Sequence, residues 1–509
     1  MAKKVKTKPK ARKAASRKPA TTSAKKKTLK NGMRVLVLEN HSAPVFSAII
    51  RFNTGAVDER EGITGSSHLL EHMLFKGTKT IGTSNYQAEV PIMNRIDSLA
   101  HLMRAEQTRL ISSLNPPDSV RYKQLRQQIA DAQAEQKKYV IKDELWSTYL
   151  QNGGTGLNAS TGNDGTQYYL SLPKNRLELW AYLESDRLAN LVLREFYSER
   201  DVVMEERRLS LENQPRGTLD EAVSAATFWA SPYKWPVVGW MSDLQTVLRE
   251  DVEAYFRSHY SPANAVAVIV GDVKADEVFA VADKYFAAIP SLPPPPPVVT
   301  RDAPHTGERR VEVEYDANPS AFITWATPAI GHPDLPALDV AANILSGGRT
   351  SRFYKNIREK KVGMASASVD YARYPSAFTC TANPFPGHTV QEMEDAVYAE
   401  IDRMKTEKVT DWELQKVRNQ IDAQLTRSLE SNQGLAFRLA SSEGVTGNWH
   451  DFADRNDAIK KVTADDVMRV VNTYLVKRNR AVAFITSTGT GKRQPRQQPA
   501  TPPSDMRPQ

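Results

Sequence analysis

Short runs of hydrophobic residues predict several strands in the first half of the chain. Residues 33–39 and 47–53 are rich in Val, Ile and Phe, and residues 166–172 combine Thr and Tyr with alternating Leu. Residues 265–270 (AVAVIV) are apolar without interruption, which is typical of a strand buried on both faces. These segments predict a sheet with a buried central strand.

Helical patterns fill the sequence between these strands. Gly65 and the serines that follow it predict the start of a short helix, with serine as its N-cap, that ends near Gly77. Residues 85–146 are polar, rich in Gln, Arg, Lys and Ala, and broken by a Pro-Pro pair, so they predict a helical hairpin. A further helix is expected over 198–213.

Five consecutive prolines at 293–297 predict an extended, semi-rigid spacer that divides the chain. The sequence after it repeats the first half in outline, with strands at 309–315, 320–326, 364–371, 376–382 and 480–486, and helices at 335–345, 390–406, 410–440 and 463–475. We therefore predict an α+β fold in which two homologous sheet-plus-helix halves face each other. The predicted divisions are a basic disordered tail (1–28), an N-terminal domain (29–287) with an insertion at 85–146, a linker (288–305), a C-terminal domain (306–488) and a disordered tail (489–509).

Charge alters this interpretation only at the N-terminus. The formal net charge is +9, but residues 1–30 contain 13 Lys or Arg and no acid, so the rest has 55 basic and 59 acidic residues. The basic character therefore belongs to a tail, for which a solvated segment, weak polyanion contact and an address signal remain open. No apolar run reaches the length of a membrane helix, and a single cysteine excludes a disulfide framework.

The segment His68-Leu-Leu-Glu-His72 is the main candidate for chemistry. On a helix, the two histidines lie about 40° apart and Glu71 about 60° from His68 on the other side. Two imidazoles one turn apart can both reach a zinc ion, with the carboxylate close to where a water would bind. The alternative is a helix whose histidines only pack or cap.

A third ligand is needed to hold zinc firmly, and the helix predicted over 198–213 offers several glutamates. Glu199 and Glu206 lie two turns apart on one face, so this face could supply a ligand and a second carboxylate that orients a histidine. Glu205 and Glu212 are interpreted as solvent-facing.

These residues resemble the pitrilysin/insulinase family of inverted-motif zinc peptidases, in its shorter bacterial and mitochondrial-processing-peptidase-like branch. The shared motifs are HLLEHMLFKGT at 68–78, Gly153-Gly154 with Asn158-Ala159, and ERDVVMEE at 199–206. The resemblance extends from about residue 28 to 486. It implies two halves that enclose a chamber and a peptidase that acts on peptides or unfolded segments.

The resemblance also implies a role for each matching residue. One zinc per chain would be bound by His68, His72 and Glu206, with Glu199 supporting a histidine. Glu71 would be the general base. The strand that begins at Asn158-Ala159 would pair with an extended peptide substrate.

Two features depart from the family pattern. Glu206 follows His72 by 134 positions, whereas the usual gap is nearer eighty, and the excess falls in the hairpin at 85–146. Arg358 matches a family arginine that helps to hold substrate, but Ala365 stands where a tyrosine is expected seven residues later. Substrate contact would then depend on a second subunit or on Arg358 alone.

The sequence thus predicts a zinc-dependent endopeptidase. The alternatives are a non-catalytic peptide-binding subunit of a heterodimeric peptidase and a nucleic-acid-binding protein, for which no base-reading motif is found. We expect a homo- or heterodimer with a related subunit, no specific nucleic acid and no membrane span. The absence of a signal peptide favours a cytoplasmic location, whereas family analogy favours export.

Overall fold

The computed structural model of the chain describes residues 24–112 and 119–488. The strands of this part are β1 Lys25–Thr28, β2 Arg34–Glu39, β3 Val45–Phe52, β4 Thr155–Gly162, β5 Gly165–Pro173, β6 Ala265–Gly271, β7 Arg309–Tyr315, β8 Ala321–Thr327, β9 Gly363–Val369, β10 Ser376–Pro384 and β11 Arg480–Ser487. The predicted strands are all present, with boundaries shifted by at most two residues except in β4, which begins three residues before Asn158.

The helices with α geometry are α1 Ser66–Met73, α2 Tyr86–Ser112, α3 Val120–Gln136, α4 Glu144–Gln151, α5 Leu177–Ala189, α6 Phe196–Arg207, α7 Pro215–Thr227, α8 Met241–Thr246, α9 Arg249–His259, α10 Ala275–Tyr285, α11 Leu335–Ser346, α12 Val390–Thr406, α13 Asp411–Ser428, α14 Asn432–Thr446, α15 Asp451–Lys461 and α16 Ala464–Tyr474. Two of them, α2 and α3, form the predicted hairpin, and the prolines expected at its turn lie outside the described residues. No described helix is both long and apolar enough to cross a membrane.

The two sheets have the same strand arrangement. The first has the order β1-β2-β6-β3-β5-β4, and the second has the order β7-β11-β8-β10-β9. In each, one pair is parallel (β2 with β6, β7 with β11) and the strands beyond it are antiparallel. The prediction of an α+β fold built from two similar halves is therefore confirmed, with β1 as an additional edge strand of the first sheet.

Each half also covers one face of the other half's sheet. Helix α14 lies on β3 and β6, where Leu435 and Leu439 are buried against Leu36 and Val268. Helix α7 lies on β7, β8 and β11. The two sheets are thus joined by apolar cores that belong to both halves, in addition to the proline-rich segment.

Three predicted boundaries differ from the structure. Lys25–Thr28, assigned to the basic tail, form strand β1, and Lys26 pairs with the fully buried Glu443 of α14. The helix predicted over 410–440 is interrupted at residues 429–431, where Ser431 caps α14 and the chain passes to the other sheet. The helix over 198–213 is α-helical only to Arg207 and π-helical over Arg208–Glu212. The terminal segments 1–23 and 489–509 lie outside the described residues.

Candidate metal centre

Helix α1 carries the histidines because its sequence divides into an apolar and a polar face. Leu69, Leu70 and Met73 are fully buried in the core of the first half, which leaves His68, Glu71 and His72 on the opposite side. The helix is thereby fixed in rotation, and its polar face is directed toward α6 and β4.

The sequence predicted serine as the N-cap of α1, and this prediction is wrong. Gly65 is the N-cap residue at φ 87°, and an added Cβ there would lie 2.4 Å from the carbonyl oxygen of Val238. The buried carboxylate of Glu59 accepts hydrogen bonds from the amides of Gly65 (2.7 Å) and Ser67 (2.6 Å). The side chain of Glu59 therefore satisfies two of the N–H groups at this helix start.

Helix α6 places Glu206 against both imidazoles. Oε1 lies 3.6 Å from Nε2 of His68, and Oε2 lies 3.5 Å from Nε2 of His72. Each of the three residues offers one potential ligand atom, and these three atoms lie within 4.8 Å of one another. Among residues 24–112 and 119–488, no other group of three or more His, Cys, Asp or Glu residues meets this criterion. The structure thus brings together the three residues named as ligands from the sequence.

Glu199 occupies the position of a supporting carboxylate. Its Oε2 lies 3.4 Å from Nδ1 of His72, on the side of the ring opposite Glu206. Lys76, one turn beyond His72, forms a close ion pair with Glu199. Glu205 points away and pairs with Arg208 at 3.0 Å, as expected for a solvent-facing residue.

The electrostatics of the two histidines differ. Burial lowers the pKa of His68 to about 4, an effect that Glu206 opposes. For His72 burial also acts to lower the pKa, but Glu199 and Glu206 outweigh it and raise the pKa to about 9. Without a metal ion, His68 is therefore neutral at pH 7 while His72 holds a proton between two carboxylates.

Two imidazole nitrogens and one carboxylate oxygen form a donor set that zinc commonly accepts at catalytic sites. A carboxylate against Nδ1 of a ligating histidine, as Glu199 provides here, is the usual way such a ring is oriented. Nδ1 of His68, in contrast, is buried without a hydrogen-bond partner among the described residues. The donor types and their convergence fit a zinc ion.

Glu71 lies beside this group and is contacted from strand β4. Its Oε2 accepts a hydrogen bond of 2.5 Å from Oγ1 of Thr161. Burial raises the pKa of Glu71, and the hydrogen bond from Thr161 opposes the shift. A partly desolvated carboxylate of this kind is a stronger base than an exposed one.

The residues named as substrate contacts are only partly gathered at this site. Strand β4 is an edge of the first sheet, and the amide of Ala159 donates to Oδ1 of Asn158 at 2.9 Å. Arg358 instead borders a cavity of about 440 Å³ whose lining residues all come from positions 346–383 in the second half. Ala365 lines the same cavity.

Thr161 and Lys76 were not identified from the sequence. The alternation along β4 contains a signal for the first, because Leu157 and Ala159 are buried and the same phase places Thr161 toward α1. A hydroxyl at an inward position of a strand is a reason to look for a polar partner. No comparable pattern in the sequence indicates the ion pair of Lys76.

Comparisons with known proteins show which proteins this chain is similar to. The family model described as Insulinase (Peptidase family M16) matches residues 34–98, and the model described as Peptidase M16 inactive domain matches residues 246–421. The zinc protease PqqE of Helicobacter pylori is 25% identical over 475 residues, which cover 90% of this chain and 91% of that protein. A probable mitochondrial-processing peptidase subunit beta of Arabidopsis thaliana is 22% identical and covers 90% and 77% of the two chains.

The fold is shared with a solved structure as well. The crystal structure of a protease from Helicobacter pylori superposes with a TM-score of 0.76 at 23% identity, over 91% of this chain and 99% of that one. Together with the HLLEH helix, the converging Glu206 and the paired sheets, these matches support one family. The chain is similar over both halves to the pitrilysin/insulinase family of peptidases, in its shorter bacterial branch.

Proposed function

We propose that this chain is a zinc-dependent endopeptidase that cleaves peptides or unfolded polypeptide segments. The observation that carries the proposal is the half-buried carboxylate of Glu71 next to three side chains whose donor atoms lie within 4.8 Å of one another. A base beside a three-ligand metal group is the arrangement that metal-assisted hydrolysis requires.

In this proposal His68, His72 and Glu206 hold the zinc ion. When bound, zinc would activate water for attack and polarise the carbonyl of the scissile bond. Glu71 removes a proton from the attacking water and returns it to the amine nitrogen of the leaving peptide. Its raised pKa, caused by burial, strengthens it as the acceptor in the first step. Glu199 keeps the ring of His72 oriented through Nδ1.

The proposed mode of substrate binding is addition of an extended peptide to strand β4. This strand has a paired neighbour, β5, on one side only. Backbone pairing at a sheet edge is independent of side-chain identity, so it would give broad sequence tolerance. An incoming peptide would compete with Asn158 for the amide of Ala159.

We also propose that a second, related subunit completes the substrate site. Arg358 faces a cavity formed by its own half alone, and Ala365 supplies no hydroxyl there. One relative is named as a subunit of a processing peptidase. The same observations favour a second candidate function, a non-catalytic peptide-binding subunit that requires an active partner.

The test uses a quenched peptide library with wild type, Glu71→Gln and Glu205→Gln, measured over a range of protein concentrations. We expect Glu71→Gln to lose at least about 100-fold in kcat/KM while its zinc content, measured by mass spectrometry, stays near that of wild type. Glu205→Gln should behave as wild type because its partner is an exposed arginine. Cleavage by Glu71→Gln at the wild-type rate would refute the general-base assignment. Zinc without cleavage at any concentration would favour the non-catalytic subunit.

A further inference from the structure

Strand β4 and helix α1 are joined at the candidate base by one side chain. Thr161 and Glu71 are 90 residues apart in sequence, and their side chains meet at 2.5 Å. Thr161 lies near the end of β4, opposite Thr166 of β5, and is half-buried. The contact is therefore formed by the tertiary fold and not by local structure.

Packing fixes where the threonine hydroxyl can be. Leu157 and Ala159, which precede Thr161 on the same face of β4, are buried in the core that also contains Leu69 and Leu70 of α1. A β-branched side chain on a strand has few accessible χ1 rotamers. The hydroxyl is thus held at a defined position relative to α1, and it donates to a carboxylate.

Glutamate, in contrast, has three side-chain torsions, and Glu71 lies on the polar face of its helix. A charge-assisted hydrogen bond is shorter and stronger than a neutral one, and it restricts the plane of the carboxylate that accepts it. Thr161 contacts Oε2 of Glu71, and the other oxygen of the same carboxylate can receive the proton that a general base removes. Placement of that oxygen within a fraction of an ångström affects the rate strongly.

We propose that Thr161 is a positioning residue that orients the carboxylate of Glu71 for proton transfer. This inference rests on the proposed peptidase function and adds a link to it. Strand β4, which would receive the peptide, is also the strand that holds the base, so the position of the scissile bond and that of the base share one support. Thr161 acts through Glu71, because its hydroxyl donates to Oε2 of that carboxylate.

The experiment separates the hydroxyl from the rest of the side chain. Thr161→Val keeps the branched shape and removes the donor, whereas Thr161→Ser keeps the donor. Thr486 of β11 provides a control for the loss of a threonine–glutamate hydrogen bond at an exposed position, because its Oγ1 donates to Oε1 of Glu312 at 2.5 Å in the other half. Thr486→Val therefore removes the same kind of bond far along the chain from Glu71.

We expect Thr161→Val to lower kcat about 10- to 100-fold, with KM changed less than about threefold and zinc content unchanged. Thr161→Ser should retain kcat within about threefold, and Thr486→Val should match wild type. If Thr161→Val does not fold, as judged by circular dichroism and zinc content, Thr161→Ala replaces it, since alanine already occupies position 159 of this face.

Two results would overturn the inference. The first is a wild-type kcat in Thr161→Val, and the second is an equal loss in Thr161→Ser and Thr161→Val, which would indicate a packing role. Both presuppose that wild type cleaves and Glu71→Gln does not. Failure of wild type to cleave would instead refute the proposed function, so the two failures are distinguishable.

Discussion

The three glutamates of α6 provide a graded test of the proposed zinc site, because they differ in what they touch. Glu206 contacts Nε2 of both His68 and His72, at 3.6 and 3.5 Å. Of the histidine nitrogens, Glu199 contacts only Nδ1 of His72, and Glu205 contacts neither histidine and pairs with Arg208. Replacing each by glutamine preserves size and removes the charge.

The expected losses in zinc affinity follow from these contacts. Zinc sites with four protein ligands bind with roughly 10–16 kcal/mol, or about 3 kcal/mol for each ligand. Glu206→Gln should therefore weaken zinc binding by a factor on the order of 100 or more. Removing a carboxylate that only orients a histidine typically costs 10- to 100-fold, which is the range expected for Glu199→Gln. Glu205, whose side chain is 56% exposed, should have no measurable effect.

Competition with a chromophoric chelator measures all three affinities under one set of conditions. The side chains of Glu205 and Glu206 are both substantially exposed, at 56% and 46%, so a difference between them cannot arise from burial. The order Glu206, then Glu199, then Glu205 is the prediction. Equal losses for Glu205→Gln and Glu206→Gln would refute the assignment of Glu206 as a ligand, and a larger loss at Glu199 would exchange the two roles.

Two further predictions concern protonation and stability. Burial acts to lower the pKa of His72, but Glu199 and Glu206 outweigh it and raise the pKa to about 9, so zinc uptake at pH 7 should displace about one proton from this ring. The contribution of His72 to the proton release should vanish well above pH 9. Calorimetry in buffers of different ionisation enthalpy measures the release, and a release that does not change with pH would contradict the prediction. Glu89 and Arg194 form a fully buried ion pair, so Glu89→Ala should lower the free energy of unfolding by roughly 3–5 kcal/mol. Glu135 belongs to an exposed ion pair, so Glu135→Ala should lower it by less than about 1 kcal/mol. Urea titrations measure both, and equal losses would contradict the assigned burial.

The sequence carries enough information for the local parts of this molecule. The strands were predictable because runs such as AVAVIV are short, uninterrupted and rich in β-branched residues, which favours a buried strand, and β6 is indeed buried at every position. The relation of His68 to His72, and of Glu199 to Glu206, follows from helix geometry alone. Both pairs face one point in the structure, since Glu199 and Glu206 each contact His72.

Other features depend on contacts between distant segments, so the sequence indicates them only weakly. The exchange of α7 and α14 between the halves was not predicted, because an apolar helix face does not reveal which sheet it covers. The same limit applies to the helix expected over 410–440. Ser431 caps α14 locally, but the packing of α14 on the other sheet, which accompanies the break at 429–431, could not be inferred from the helical pattern. The cap of α1 was misassigned to serine because Glu59 reaches it from outside the helix.

The long separation of His72 from Glu206 shows why sequence distance is a poor guide to a site of this type. The hairpin begins after Thr83 and ends before Val140, and these two residues form an antiparallel bridge. Because the two ends of the hairpin are adjacent, its length does not alter the path from α1 to α6. Its base is nevertheless integral to the site, because Glu89 of α2 neutralises Arg194, which donates to the carbonyls of Lys76, Thr78 and Ile81 in the loop that follows α1. The hairpin therefore lengthens the chain between the ligands without displacing them. It also stabilises the loop that contains Lys76, the residue that pairs with Glu199.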